Sequence, residues 1–294
     1  MTRPARSWLF VPADSERKLA RAGDAGADAI ILDLEDSVSG ERKALAREIA
    51  AAFLRTGREG ARGAALWVRV NPLETPLCLA DLAAVVEAAP DGIMLPKAEG
   101  PRALRQLGFY LDALEARAGL PPGGIGVLPV ATETASAPFR LGDYARARLD
   151  RLRGLTWGGE DLATALGAST NRDATGDWAF TYKLVRSLTL MAARAAGVAA
   201  VDTLHADFRD ETGLTRHSAA SRAEGFSGRL AIHPAQVPVI NAAYLPSAEE
   251  IAAATRVLAA FAAEPGAATV GLDGRMLDRP HLKQAEAILA AAGR

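Results

Sequence analysis

The chain is poor in the residues that build disulfide frameworks and soft-metal sites. Its 294 residues include one cysteine, Cys78, which excludes an internal disulfide and a cysteine-rich zinc site. The histidines, His205, His217, His233 and His281, are nowhere spaced as a metal-binding pair. Long apolar runs are missing as well. The N-terminal MTRPARSWLFVPADSERKLA holds about five apolar residues before a proline, where a signal segment needs roughly seven and a membrane span roughly twenty. A cytoplasmic protein with no membrane partner is the expectation. The net charge of −1 leaves no basic excess for a nucleic-acid partner. No G-x-G-x-x-G follows the first apolar run, which weakens the doubly wound alternative. GFSGR is not a G-x-S-x-G elbow, so a serine thioesterase is not expected.

What the chain does have is 49% hydrophobic residues, enough for a large core at a length that suits one α/β barrel with an appendage as well as two ordinary domains. Eight short apolar runs occur in order: SWLFVP, AIILDL, LWVRVN, GIMLPK, IGVLPV, GLTWGG, AVDTLH and LAIHP. Each is continuous, as befits a parallel strand covered on both faces. Segments of helical spacing lie between them, such as ERKALAREIAAAFLRT and PFRLGDYARARLDRL. The pattern predicts a (β/α)8 TIM barrel over residues 1–245. Residues 246–294 are expected to form a helical extension or lid. There a glycine-rich PGAATVGLDGRMLD reads as a hinge before a last helix with Leu282, Ala285 and Leu289 on one face.

In such barrels the chemistry sits where strands end. The polar residues at those ends are Asp33 and Glu35, Arg69 and Asn71, Lys97, Glu133, Glu160 and Asp161, Asp202, and His233. Any one of them could be there only to satisfy a neighbour across the barrel mouth; the ring as a whole favours an active site. Glu133 and Asp161, from adjacent strands and without histidine or thiolate nearby, suit a hard cation such as Mg²⁺, although two acids could equally hold an arginine.

The motifs RSWLFVPADSERKLARA, GADAIILDLEDSV, VRVNP, DGIMLPKAE, ETA, GGEDLA, VDTLHADFRD, GFSGRLAIHPAQV and DGRMLDRPHLKQA together resemble the citrate lyase β-subunit-like proteins of the HpcH/HpaI aldolase superfamily. The resemblance runs nearly end to end in the family's order. It departs at Ala13, where glycine is frequent, at VDTLH, where an aromatic residue is frequent, and at ETASAPF, where a glycine commonly follows. It implies a barrel that makes or cleaves a carbon–carbon bond in a hydroxyacyl-CoA with Mg²⁺, Mn²⁺ being an alternative. Glu133 and Asp161 match the metal ligands, and Arg69 matches the arginine that holds the carboxylate of a short oxoacid. Phe10, Arg17 and Arg21 match positions lining the CoA site, with the backbone at Ala231 and Ile232 as its far wall. Asp278 matches an acid/base brought to the metal by the lid of a neighbouring subunit, in a trimer or a dimer of trimers.

The residues carry these roles with unequal weight. Arg69 presents a planar fork suited to a carboxylate. Arg17 and Arg21 are four apart after Asp14, a candidate N-cap, and could meet phosphates, but alone they read as a solvated helix face. Asp278 alone reads as a turn residue. Asp33, Glu35 and Asp36 are too many to join the metal acids as ligands, so they are expected to orient metal-bound water and to pair with Arg69 or Lys97. Three alternatives stay open. Lys97 could form a Schiff base; the same site could release CoA from malyl-CoA by hydrolysis; or the chain could be the β subunit of a complex acting on a carrier-protein thioester.

Overall fold

Each of the eight apolar runs forms a strand in the computed structural model, which describes residues 4–57 and 63–293. They are β1 (Ser7–Pro12), β2 (Ala29–Asp33), β3 (Ala65–Arg69), β4 (Gly92–Leu95), β5 (Gly126–Pro129), β6 (Gly154–Leu155), β7 (Ala199–Asp202) and β8 (Gly228–Ala231). All pair in parallel in the order β5-β4-β3-β2-β1-β8-β7-β6. The ring is joined between its ends by parallel bridges Val127 to Leu152 and Val130 to Thr156, with Thr156 N–H donating to Pro129 O at 3.1 Å. The result is a (β/α)8 barrel. Continuous apolar runs are what this closure demands, because side chains facing inward meet other strands and those facing outward meet helices. The inward set packs into one plug of Trp8, Ile31, Trp67, Met94, Leu128, Val130, Val201 and Leu230, with Trp8 and Trp67 edge to face at 5.1 Å.

The covering helices are α1 (Glu16–Ala22), α2 (Lys43–Thr56), α3 (Leu77–Val85), α4 (Pro101–Ala118), α5 (Gly159–Ala165), α6 (Phe180–Ala195), α7 (Glu211–Glu224) and α8 (Gln236–Ala243). On α2 the buried Ala46, Ala50 and Leu54 recur every four residues, the spacing of one helix face. Two local expectations fail. The segment PFRLGDYARARLDRL is not an α-helix: Ala137–Asp143 is a 3₁₀ helix followed by turns. Its buried anchors, Leu141 and Tyr144, are three residues apart, which suits three residues per turn, while Phe139 faces solvent. The N-cap of α1 is Ser15, not Asp14. Asp14 instead accepts a hydrogen bond from Arg42 Nε at 2.6 Å.

The chain folds as two compact units, Pro4–Asn241 and residues 242–293. In the second, α9 (Ala248–Ala263) opens with a capping box between Ser247 and Glu250. The glycine-rich stretch is itself folded there. It forms an antiparallel hairpin of β9 (Thr269–Leu272) and β10 (Arg275–Asp278), turning through Asp273 and Gly274 at φ of 52° and 75°. Two successive positive φ values give the hairpin turn that matches strand twist, and glycine makes the second inexpensive. The last helix, α10 (Arg279–Ala291), buries Ala285 and packs on α9.

Candidate functional site

The strand ends of the barrel meet around a cavity of about 410 Å³. Phe10, Asp33, Asp36, Arg69, Glu133, Asp161 and Ile232 all line it. Parallel register explains the first contact: Asp33 and Arg69 are Cα partners at the last positions of β2 and β3, so their side chains leave the sheet together. Arg69 donates from Nε and Nη2 to the two oxygens of Asp33 at 2.7 and 2.6 Å. Its Nη1 lies 3.1 Å from Glu35 Oε2 and 3.7 Å from Asp36 Oδ2, and its guanidinium sits over the Phe10 ring at 4.7 Å. Burial alone would raise the Asp33 carboxyl, yet the bonds and charge of Arg69 hold it below the usual carboxylate range.

Glu35 and Lys97 stand just behind this wall. Lys97 Nζ donates to Glu35 Oε1 at 2.6 Å and lies 3.4 Å from Asp161 Oδ1. Its backbone N–H donates to Glu133 Oε2 at 2.7 Å. Burial works against the Lys97 charge, but Glu35, Glu133 and Asp161 push its pKa above the ordinary lysine value. Glu35 itself is raised, mainly by burial, with Arg69 and Lys97 acting against the shift.

Glu133 is 6% exposed, and burial, followed by the charge of Asp161, pushes it up to about 8. It fits beneath the α5 loop only because residue 158 is glycine. A Cβ there would lie 2.7 Å from Glu133 Cγ and 2.9 Å from Oε1. The chain at Gly158 is fixed by its N–H, which donates to Thr132 Oγ1 at 3.0 Å.

Cations are fewer than carboxylates here: Asp33, Glu35 and Asp36 share Arg69, and Glu35 and Asp161 share Lys97, while Glu133 takes its hydrogen bond from the Lys97 backbone N–H. Among the described residues no three His, Cys, Asp or Glu side chains converge as a ready ligand set. An oxygen-only pair still fits Mg²⁺, which uses one or two protein carboxylates and takes its other ligands from water and substrate.

Other expected residues fall elsewhere. Ala231 is fully buried as the last residue of β8, and Ile232 N–H donates to Gln236 Oε1 at 2.9 Å. Arg17 and Arg21 are exposed on α1 and do not line the cavity. Asp278 belongs to the second unit, where it is the N-cap of α10, with Oδ1 2.5 Å from His281 Nδ1. Three strand-end residues are satisfied internally. Asn71 donates through N–H and Nδ2 to Asp81 Oδ2 at 2.8 and 2.6 Å, and His233 stacks on Phe208. Asp202 accepts from Trp157 Nε1 and Arg229 Nη2 at 2.7 Å each.

The sequence reading missed Lys43. Its Nζ donates to the carbonyls of Leu34 and Glu35 at 2.7 Å and to Asn71 Oδ1 at 2.9 Å, pinning the loop that carries the acids. Next to Arg42 it looked like an ordinary surface cation, and no spacing distinguishes it.

Residues 6–234 match the HpcH/HpaI aldolase/citrate lyase family. The chain belongs to that family. Membership places it among aldolases and citrate lyases, enzymes of the lyase class. It is 38% identical over 286 residues to a citrate lyase subunit beta-like protein of Mycobacterium tuberculosis (strain H37Rv), covering 97% of this chain and 95% of the relative. It is 38% identical over 291 residues to a (3S)-malyl-CoA thioesterase of Cereibacter sphaeroides (strain KD131), covering 98% and 95% of the two chains. The crystal structure of CitE from Mycobacterium tuberculosis in complex with magnesium, acetoacetate and coenzyme A superposes with a TM-score of 0.82 at 36% identity, covering 100% of both chains.

Proposed function

We propose that the chain is a Mg²⁺-dependent carbon–carbon lyase. Its substrate is a short 3-hydroxyacyl-CoA such as malyl-CoA, citramalyl-CoA or β-methylmalyl-CoA, and its products are an acyl-CoA and glyoxylate or pyruvate. The observation that carries this reading is the Glu133 and Asp161 pair lining the same cavity as Arg69, where carboxylates outnumber the cations that meet them. Bound by those two residues, Mg²⁺ would stabilise the charge that develops on the substrate oxygen as the bond breaks. Arg69, held rigid by Asp33, orients the oxoacid carboxylate. Phe10, Leu204 and Ile232 keep an apolar rim that excludes bulk water from the enolate. Asp278, supplied by a neighbouring subunit of a homotrimer, gives a proton to the enolate carbon in cleavage and removes it in condensation. Arg17 and Arg21 meet the CoA phosphates at the solvent edge, and the backbone at Ala231 and Ile232 forms the opposite wall.

A Schiff-base route is disfavoured by Lys97, which Glu35 keeps as the ammonium ion, whereas a nucleophilic lysine must lose its proton. The likeness to the malyl-CoA thioesterase supports a second reading, hydrolysis at the same site. The test is an assay of the purified chain on the three CoA esters with and without Mg²⁺, following oxoacid and free thiol separately. Metal-dependent oxoacid without thiol is the expected result. Thiol without oxoacid establishes the hydrolase, and silence on all three esters removes both readings.

A further inference from the structure

Lys97 follows β4 with φ at 50°, a left-handed conformation that a side chain with a Cβ adopts at a cost in strain. Such a residue persists where its surroundings over-determine it, and this one is held at three points. Its backbone N–H reaches Glu133, and its ammonium group reaches Glu35 and Asp161. One residue therefore touches both carboxylates of the pair, the first through the main chain and the second through the side chain. A positive group 3.4 Å from Asp161 Oδ1 does two things to an incoming cation. It occupies an oxygen that the cation would use, and it repels a double positive charge at short range.

We propose that Lys97 is the positioning residue of the carboxylate pair, and that its ammonium group sets divalent-cation affinity by competing for Asp161. The inference rests on the reading of Glu133 and Asp161 as the cation's ligands. Its backbone bond holds Glu133 in place whatever the side chain; the ammonium group keeps the pair from collecting cations more tightly than turnover allows.

The test is titration calorimetry of the full chain with Mg²⁺ in the absence of substrate. Lys97→Met keeps the length of the side chain and removes its charge, and it is expected to bind Mg²⁺ at least fivefold more tightly than the parent. Lys97→Arg restores the charge and is expected to stay within threefold. Should Lys97→Met fail to fold, as judged by circular dichroism, Lys97→Gln carries the same expectation with a polar head for Glu35. Damage to a merely structural residue lowers affinity, so a gain is the discriminating readout. Unchanged or weaker binding by the folded neutral variant, with the parent binding normally, overturns the role of Lys97 alone. No binding of Mg²⁺ by the parent overturns the reading of Glu133 and Asp161, and this inference with it.

Discussion

Arg69 and Asp33 form a two-point pair at the ends of adjacent strands, at 2.7 and 2.6 Å, with both side chains largely buried. Register brings them together, and pairing fixes the guanidinium plane before any substrate arrives. Arg69→Lys cannot make the two-point contact and leaves Asp33 partly unmatched in a buried place. The expected loss is about 1 to 3 kcal/mol of unfolding free energy in urea, because the charge stays and only hydrogen bonds to Asp33 are lost. The KM for the oxoacid in the condensing direction should rise by roughly tenfold or more, a loss of one to two kcal/mol of binding. A variant with parental stability and KM would remove Arg69 from both roles.

Glu133 titrates at about 8 in the chain without a cation. A carboxyl whose folded pKa lies above its unfolded value binds more protons when folded between the two. Stability of the cation-free chain therefore falls as pH rises from about 4.5 towards 8 through this group. A cation needs the ionised form, so the rise in melting temperature produced by Mg²⁺ should grow across that range, and EDTA should abolish it. Glu133→Gln should flatten both trends. A Mg²⁺ effect equal at pH 5.5 and pH 8 would contradict the assignment.

Asp202 works with the opposite sign. Burial alone would raise it, but Arg229 and Arg186 hold it at about 2. Its contribution is present above the unfolded value of about 3.9 and is lost as pH falls towards 2. Asp202→Asn should lower stability at pH 7 by about 3 kcal/mol or more, since buried Arg229 loses its carboxylate partner and Arg186 keeps only Glu224, with a smaller difference from the parent at pH 3. Chemical denaturation at the two pH values checks it.

Asp278 caps α10, and asparagine caps a helix about as well as aspartate. Asp278→Asn should therefore keep the parental melting temperature while losing about 10²-fold or more in kcat, as expected for a general acid/base. Mixing it with a folded Glu133→Gln chain should recover activity if the residue acts between subunits. Full activity of Asp278→Asn would end its proton-transfer role.

The eight strands were legible because burial on both faces leaves a continuous apolar run, a signal that needs no partner to be seen. The segment 138–152 was not, because Leu141 and Tyr144 recur at a spacing compatible with both helix types, and only the packing decides between them. Hinge and hairpin look alike in PGAATVGLDGRMLD, since glycine and aspartate serve both; strand pairing between residues 269 and 278 is what distinguishes them. At the site, residue types at strand ends pointed to Asp33, Arg69, Glu133 and Asp161. Lys43 carried no such mark, because its role is defined by two carbonyl oxygens that sequence does not display.

By itself, the sequence determined the barrel, the polar residues that close its strands and the oxygen-only character of the carboxylate pair. These follow from local periodicity and from which residue types close each strand. Only the tertiary structure decided which charges neutralise each other. Arg69 and Lys97 each had several acids within reach on paper; parallel register gave Arg69 to Asp33, and the loop after β4 brought Lys97 to Glu35 and Asp161. Charge pairing depends on distances of a few ångströms between strands far apart in the chain, and no pattern along one dimension encodes those distances.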